Sequence, residues 1–160
     1  ENRTLLPVVT IIIMETFLAK MRRLQGVRKV LLLEEAWKAI AKEGMASYVR
    51  YLFKTVRKYF GEAIVVTQEV EDIISSPIVK ESIINNADCK ILLDQRKYRN
   101  KFDQIQTLLG LTDKERAQVL SINLSNDPAR RYKEVFISLG GVQSAVYATE
   151  VSDEEYLVRP

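Results

Sequence analysis

Histidine is absent from this 160-residue chain. That excludes histidine-based metal sites, Ser-His-Asp triads and Cys-His nucleophile pairs within it. Cysteine occurs once, at Cys89, so no internal disulfide can form. A single thiol fits a reducing cytoplasm. Long hydrophobic runs are missing too. The most apolar segment near the start, LLPVVTIIIM (Leu5 to Met14), is interrupted by Pro7 and Thr10 and ended by Glu15. It falls well short of the roughly 18 continuous apolar residues of a membrane span. No cationic leader precedes it and no small-residue cleavage site follows, so it does not read as a signal peptide. The expectation is a helix buried on nearly all sides. Internal repeats, low-complexity tracts and a clear domain linker are also lacking.

What is present suits an ordinary globular protein: 47% hydrophobic and 28% charged residues. The length fits one domain over residues 1–160, enough to bury a real core. The net charge of +3 is mildly basic and too weak to argue nucleic-acid binding by itself.

Local patterns order the chain. A helix is expected from Thr4, as N-cap, to about Leu24, ended by Gly26. Val30 to Leu33 is a short apolar run of the kind covered on both faces in a parallel sheet. Met45 to Phe60 reads as a helix, with Met45, Val49, Leu52, Phe53, Val56 and Phe60 on one face. Its opposite face carries Arg50, Lys54, Arg57 and Lys58, and Gly61 breaks it. Ala63 to Thr67 reads as a second buried strand and Lys90 to Leu93 as a third. Short helices are expected at Glu71–Ser75 and Ile78–Asn85, and longer ones at Asn100–Leu109 and Thr112–Ile122. Thr112 followed by Glu115 is a capping-box pattern. Tyr132 to Ser138 and Ser144 to Val151 alternate apolar and polar around Gly140-Gly141, the pattern of an antiparallel hairpin. The acidic end, SDEEYLVRP, is expected to fray. Strands alternating with helices imply an α/β layer fold with a parallel sheet.

The stretch RKVLLLEEAWKAI, Arg28 to Ile40, sets two adjacent acids at the end of an apolar strand. In open α/β sheets ligands sit beyond the carboxyl ends of the strands. An apolar strand ending in two acids matches the Walker B element of P-loop ATPases. There the first acid holds magnesium, usually through water, and the second orients the water that attacks the γ-phosphate. Glu34 and Glu35 would fill those roles. A plainer reading has the pair opening the next helix, where negative charge is favoured. AIVVTQ, Ala63 to Gln68, is another buried strand with a polar end. Gln68 either senses the γ-phosphate or caps the following helix with Thr67. Trp37, at helical spacing after the acids, reads as a packing residue.

The segment LLLEEAWKAIAKEGMASYVRYLFKTVRKYFGEAIVVTQEVEDI closely resembles the C-terminal ATPase region of the TraG family of conjugative-transposon proteins. That family is related to the energising ATPases of type IV secretion. NNADCKILLDQRKY, LLGLTDKE and RYKEVFISLGG fit the same family in the same order, so the resemblance covers nearly the whole chain. It implies a RecA-like P-loop NTPase core that binds ATP and magnesium and assembles as a ring, a hexamer by expectation. The ring would be cytoplasmic and peripheral to the inner membrane, against components of the conjugation channel, powering pilus assembly or substrate transfer. The resemblance assigns Glu34 and Glu35 as the Walker B pair and Gln68 as the sensor. It makes Arg130, in PARRYKEVF, a candidate arginine finger, against the alternative of a surface charge beside a strand.

The phosphate-binding loop needs G-x-x-x-x-G-K-[ST], and no Gly-Lys pair occurs in this sequence. The implied core is therefore partial, with the loop far upstream of Glu1 and the isolated chain inactive. The missing strand would lie between Ala63–Thr67 and Lys90–Leu93. Its absence would expose strand edges that are closed over, swapped or dimerised. Two other readings stay open. One is a DNA-pumping or coupling ATPase with the same core. The other is a non-enzymatic module whose basic residues, Arg50, Lys54, Arg57 and Lys58 or Arg96, Lys97, Arg99 and Lys101, dock DNA or an acidic partner.

Overall fold

The computed structural model describes residues 5–34, 43–68, 84–125 and 132–158. Two compact units divide the chain, one ending at Ala87 and the other beginning at Asp88.

In the first unit, helix α1 (Leu5–Arg23) leads to strand β1 (Lys29–Glu34). Helix α2 (Glu43–Thr55) continues as a 3₁₀ turn (Val56–Tyr59) into strand β2 (Gly61–Val66). Strands β1 and β2 pair in parallel, Lys29 opposite Gly61 through Glu34 opposite Val66. Met14, Leu18 and Met21 recur at helical spacing and bury one stripe of α1 against Leu31, Leu33, Val49, Leu52 and Val56. Lys20, Arg22 and Arg23 occupy the last turn of α1, where positive charge suits the helix dipole. The Lys29 ammonium donates to the carbonyls of Met21, at 3.3 Å, and Tyr59, at 2.8 Å. That contact draws the ends of α1 and the 3₁₀ turn to the start of β1.

Burial in this unit is one-sided, which corrects two expectations. Helix α1 is not enclosed: Leu5, Val8, Val9, Ile12 and Ile13 are each between 47% and 59% exposed. These residues form a second apolar seam, confined to the first half of the helix. The strands are likewise covered on one face. Leu31 and Leu33 are buried, whereas Val30 and Leu32 are 52% and 56% exposed. Parallel register puts Ile64 and Val66 beside them on the same open face. A continuous apolar run identifies a strand, but not which of its two faces the described elements cover.

The expected single helix to Phe60 instead tightens at Val56, and Phe60 takes a left-handed conformation (φ 55°) and is 70% exposed. Gly61 stands where a Cβ would lie 2.6 Å from Val56 Cγ2 and 3.0 Å from Met21 Sδ. Its missing side chain admits close packing, while the reversal itself falls on Phe60. A short 3₁₀ turn (Ile84–Asn86) closes the described part of this unit. The expected helix at Glu71–Ser75 lies outside the described residues, as do most of Ile78–Asn85 and the Thr4 cap.

The second unit opens with strand β3 (Cys89–Leu92), then a 3₁₀ turn (Arg96–Lys101), helix α3 (Phe102–Leu109) and helix α4 (Asp113–Ser121). A hairpin of β4 (Tyr132–Leu139) and β5 (Gln143–Glu150) follows, then helix α5 (Asp153–Val158). The sheet order is β3-β4-β5, antiparallel throughout. The fold is thus α/β with a parallel sheet, but the third strand does not join that sheet. Ile91 lies opposite Ile137 and Leu92 opposite Phe136, so β3 pairs with a strand remote in sequence. Among the described strands the antiparallel sheet is the larger, which corrects the expected mostly parallel arrangement. Gly140 and Gly141, both at positive φ, make the expected hairpin turn.

Phe102, Ile105, Leu108, Val119, Ile122, Val135 and Phe136 are buried in this unit. The capping box at Thr112 forms: its hydroxyl accepts from the Glu115 N–H, and the Glu115 carboxylate accepts from the Thr112 N–H. Of the segment expected to fray, Asp153–Val158 form a helix. Ser152 Oγ accepts from the Glu155 N–H while Glu155 accepts from the Ser152 N–H, a second capping box.

Candidate functional site at the strand ends

Strands β1 and β2 run the same way, so their carboxyl ends meet at one edge. Glu34 is the last residue of β1, exposed, on the open face with Val30 and Leu32. Its register partner Val66 ends β2, and Thr67 and Gln68 follow at once. Thr67 is half-buried and Gln68 exposed. The first expected acid and the expected sensor therefore sit at the same end of adjacent strands. Glu35 follows Glu34 directly but lies outside the described residues, as do Trp37 and Arg130.

Among the described residues no group of three or more acidic or cysteine side chains is placed to cage a metal ion. A magnesium site needs no such cage. Magnesium keeps several waters and is held by one or two carboxylates plus substrate phosphates. A lone carboxylate at a strand end, Glu34, fits that donor set.

Two further surface features belong to the first unit. Between α1 and α2 a cleft is lined by Glu15, Leu18, Arg22, Ser47, Tyr48 and Tyr51. Tyr48 donates its hydroxyl to Glu15, whose carboxylate raises the phenol's pKa. Arg22 donates to the Tyr51 hydroxyl at 3.0 Å. These bonds clamp the helices and give the cleft a structural purpose. A second groove, about 300 Å3, is lined by Arg50 and Lys54 of α2 with Asn85 and Asn86. The cations of that groove are legible in the sequence. The asparagines are not, because the fold alone carries them there.

The other basic cluster is partly spent on local contacts. Asp94 accepts from the Arg96 side chain at 2.7 Å and from its backbone N–H at 3.0 Å. The Arg96 bond holds the Asp94 carboxyl below its usual range. The Lys97 ammonium lies 4.5 Å from the centre of the Tyr98 ring. Among the described residues no helix is long and apolar enough to cross a membrane.

Known proteins are similar to this chain. The structure of VirB4 of Thermoanaerobacter pseudethanolicus superposes with a TM-score of 0.58 at 25% identity, covering 81% of this chain and 33% of that one. The type IV secretion system protein CagE of Helicobacter pylori (strain ATCC 700392 / 26695) is 33% identical over 92 residues, which are 58% of this chain and 9% of CagE. The chain thus spans a third or less of the length of these relatives. Residues 1–159 match the TraG P-loop domain, and with nearly every residue included, the chain belongs to that family.

Proposed function

We propose that these 160 residues supply the acid and sensor side of a nucleotide-hydrolysis site in a longer type IV secretion or conjugation ATPase. One observation carries this reading. Glu34 and Val66 are partners at the carboxyl ends of parallel strands, Gln68 continues from that edge, and Glu35 is the next residue in sequence after Glu34. In α/β sheets that edge is where nucleotides are held.

In this reading the chain is part of a RecA-like core. Glu34 would hold magnesium through water, and the ion would supply the charge that neutralises the ATP phosphates. Glu35 orients and polarises the attacking water. Gln68 contacts the γ-phosphate or that water. Arg130 reaches a neighbouring subunit's nucleotide as an arginine finger, which requires a ring, a hexamer by expectation. The phosphate loop comes from protein outside these 160 residues, and its strand adds to the edge of β2 that has no partner among the described strands. The isolated chain would then be inactive. The assembled ring would work on the cytoplasmic side of the inner membrane, against conjugation-channel components, driving pilus assembly or the transfer of DNA or protein.

The test is Glu35→Gln in the full-length protein. ATP binding should persist while turnover falls at least ~100-fold, the lower bound for loss of a positioned base. Retained turnover would remove Glu35 from that role.

A further inference from the structure

Among the described strands β5 (Gln143–Glu150) is a border of the antiparallel sheet, with β4 on one side of it only. The ladder fixes which of its backbone groups are spent. The Glu134 N–H of β4 donates to Asn123 Oδ1 at 3.0 Å, and just past the strand the Gly140 N–H donates to the Asp88 carbonyl that precedes β3. Even-numbered residues of β4 therefore turn away from β5, because bonding direction alternates along an antiparallel strand. Their register partners Ser144, Val146, Ala148 and Glu150 turn their own N–H and C=O groups outward, and no described residue bonds to those groups. Proteins blunt such an edge with lysine, proline or a bulge. This one has none. Gln143 to Thr149 carries no charge and no proline, and the register runs without a bulge from Tyr132–Glu150 to Leu139–Gln143. Tyr147, Ala148, Thr149 and Glu150 are exposed in succession, so neither face of that half of the strand is covered. We propose that β5 pairs antiparallel with β5 of a second copy of this chain, across a two-fold axis at Tyr147.

The strand's own sequence selects the occupant. With Tyr147 on the axis, Val146 lies opposite Ala148 of the other copy and Ser144 opposite its Glu150, so the outward donors and acceptors satisfy one another. The two Tyr147 residues, each 43% exposed, meet as a non-hydrogen-bonded pair. Side chains approach most closely in such pairs, and aromatic ones are favourable there. On the same face Ala145 lies opposite Thr149. The strand's one charge, Glu150, faces a serine rather than its own copy, so no like charges are opposed. A foreign extended segment would satisfy the backbone equally, but a copy of this strand also brings an aromatic pair to the axis. The contact is isologous and closes at two copies. It uses neither Glu34 nor Glu35 and stands apart from the hydrolysis proposed above.

Sedimentation velocity of the 160-residue chain, from about 1 to 300 µM, should show a reversible monomer–dimer equilibrium. A148P removes an outward N–H and leaves the β4 ladder whole, as proline does on the solvent side of an edge strand. It should weaken the dimer about tenfold or more, from the two hydrogen bonds lost across the axis. I91P makes the same change on the opposite border, β3, and should stay within about twofold of the parent. The register is read separately by mild oxidation of C89S/Y147C and C89S/T149C. Paired Tyr147 positions have Cα atoms about 4.5 Å apart, inside disulfide reach, whereas the two Thr149 positions lie roughly 14 Å apart. The first variant should cross-link to a dimer and the second should not. If A148P unfolds by circular dichroism, the cross-linking pair decides alone. The proposal is overturned if the parent stays monomeric throughout that range, if folded A148P dimerises like the parent, if I91P loses as much, or if C89S/T149C cross-links as readily as C89S/Y147C.

Discussion

Glu34 stands opposite Val66 at the point where the two parallel strands end, and Gln68 follows two residues beyond that partner. The register places the first of the two acids, Glu34, at that shared strand end. In the proposed site Glu34 serves the metal and Glu35 serves the water.

That division predicts different failures. In the full-length protein Glu34→Gln should raise the magnesium concentration needed for half-maximal hydrolysis on the order of tenfold, the lower end for loss of a group supporting a metal. Glu35→Gln should lower turnover at every magnesium concentration. Hydrolysis followed against magnesium, at saturating ATP, separates them. Identical behaviour of the two variants would remove the assignment of the metal to Glu34.

A second carboxylate, Glu115, is buried and ties helix to sheet. Its Oε2 accepts from the Thr112 N–H at 2.9 Å and from the Thr112 hydroxyl at 3.0 Å, and its Oε1 accepts from the Ser138 hydroxyl at 3.1 Å. The Thr112 N–H, first among these, holds its pKa below the ordinary glutamate value. A lowered folded-state pKa means that the unfolded chain binds the extra proton, so stability rises with pH. The contribution is complete above the unfolded value of about 4.3 and drains away as pH falls through the lower folded one. Glu115→Ala should cost about 1–3 kcal/mol near neutrality, from the lost cap and the orphaned Ser138 hydroxyl. The difference between parent and variant should shrink below about pH 4. Urea melts from acid to neutral pH measure this, and a pH-independent difference would contradict it.

Gly61 makes a steric prediction. An alanine Cβ would sit 2.6 Å from Val56 Cγ2 and 3.1 Å from the Val56 carbonyl oxygen. Val56 is buried and the carbonyl is backbone, so neither neighbour yields easily. Gly61→Ala should destabilise the protein by about 1–3 kcal/mol, the usual penalty for overpacking. Thermal unfolding would register it. An unchanged midpoint would mean that β2 shifts at little cost.

The sequence was most readable where local chemistry decides. Val49 and Leu52 at helical spacing marked the buried face of α2, and Thr112 with Glu115 marked the start of α4. It was least readable where partners are distant. Cys89–Leu92 is apolar enough for either sheet type, and only Ile137 and Phe136, far along the chain, make it antiparallel. Exposure of Ile12 or Leu32 could not be read either, because apolar composition looks the same with or without a neighbour. The helix after Ser152 had a readable signal, Ser152 with Glu155, which matches the pattern at Thr112. At the strand ends the acids and Gln68 were legible as chemistry. That Glu34 and Gln68 share a strand end came from the parallel register, which no local pattern specifies.

Cys89 is the chain's single cysteine, and it is exposed on β3, a border strand of the antiparallel sheet among the described strands. Maleimide chemistry will therefore place one dye per molecule at a known spot. Emission from that dye should respond if another polypeptide lines up along the border, without introducing a new attachment point.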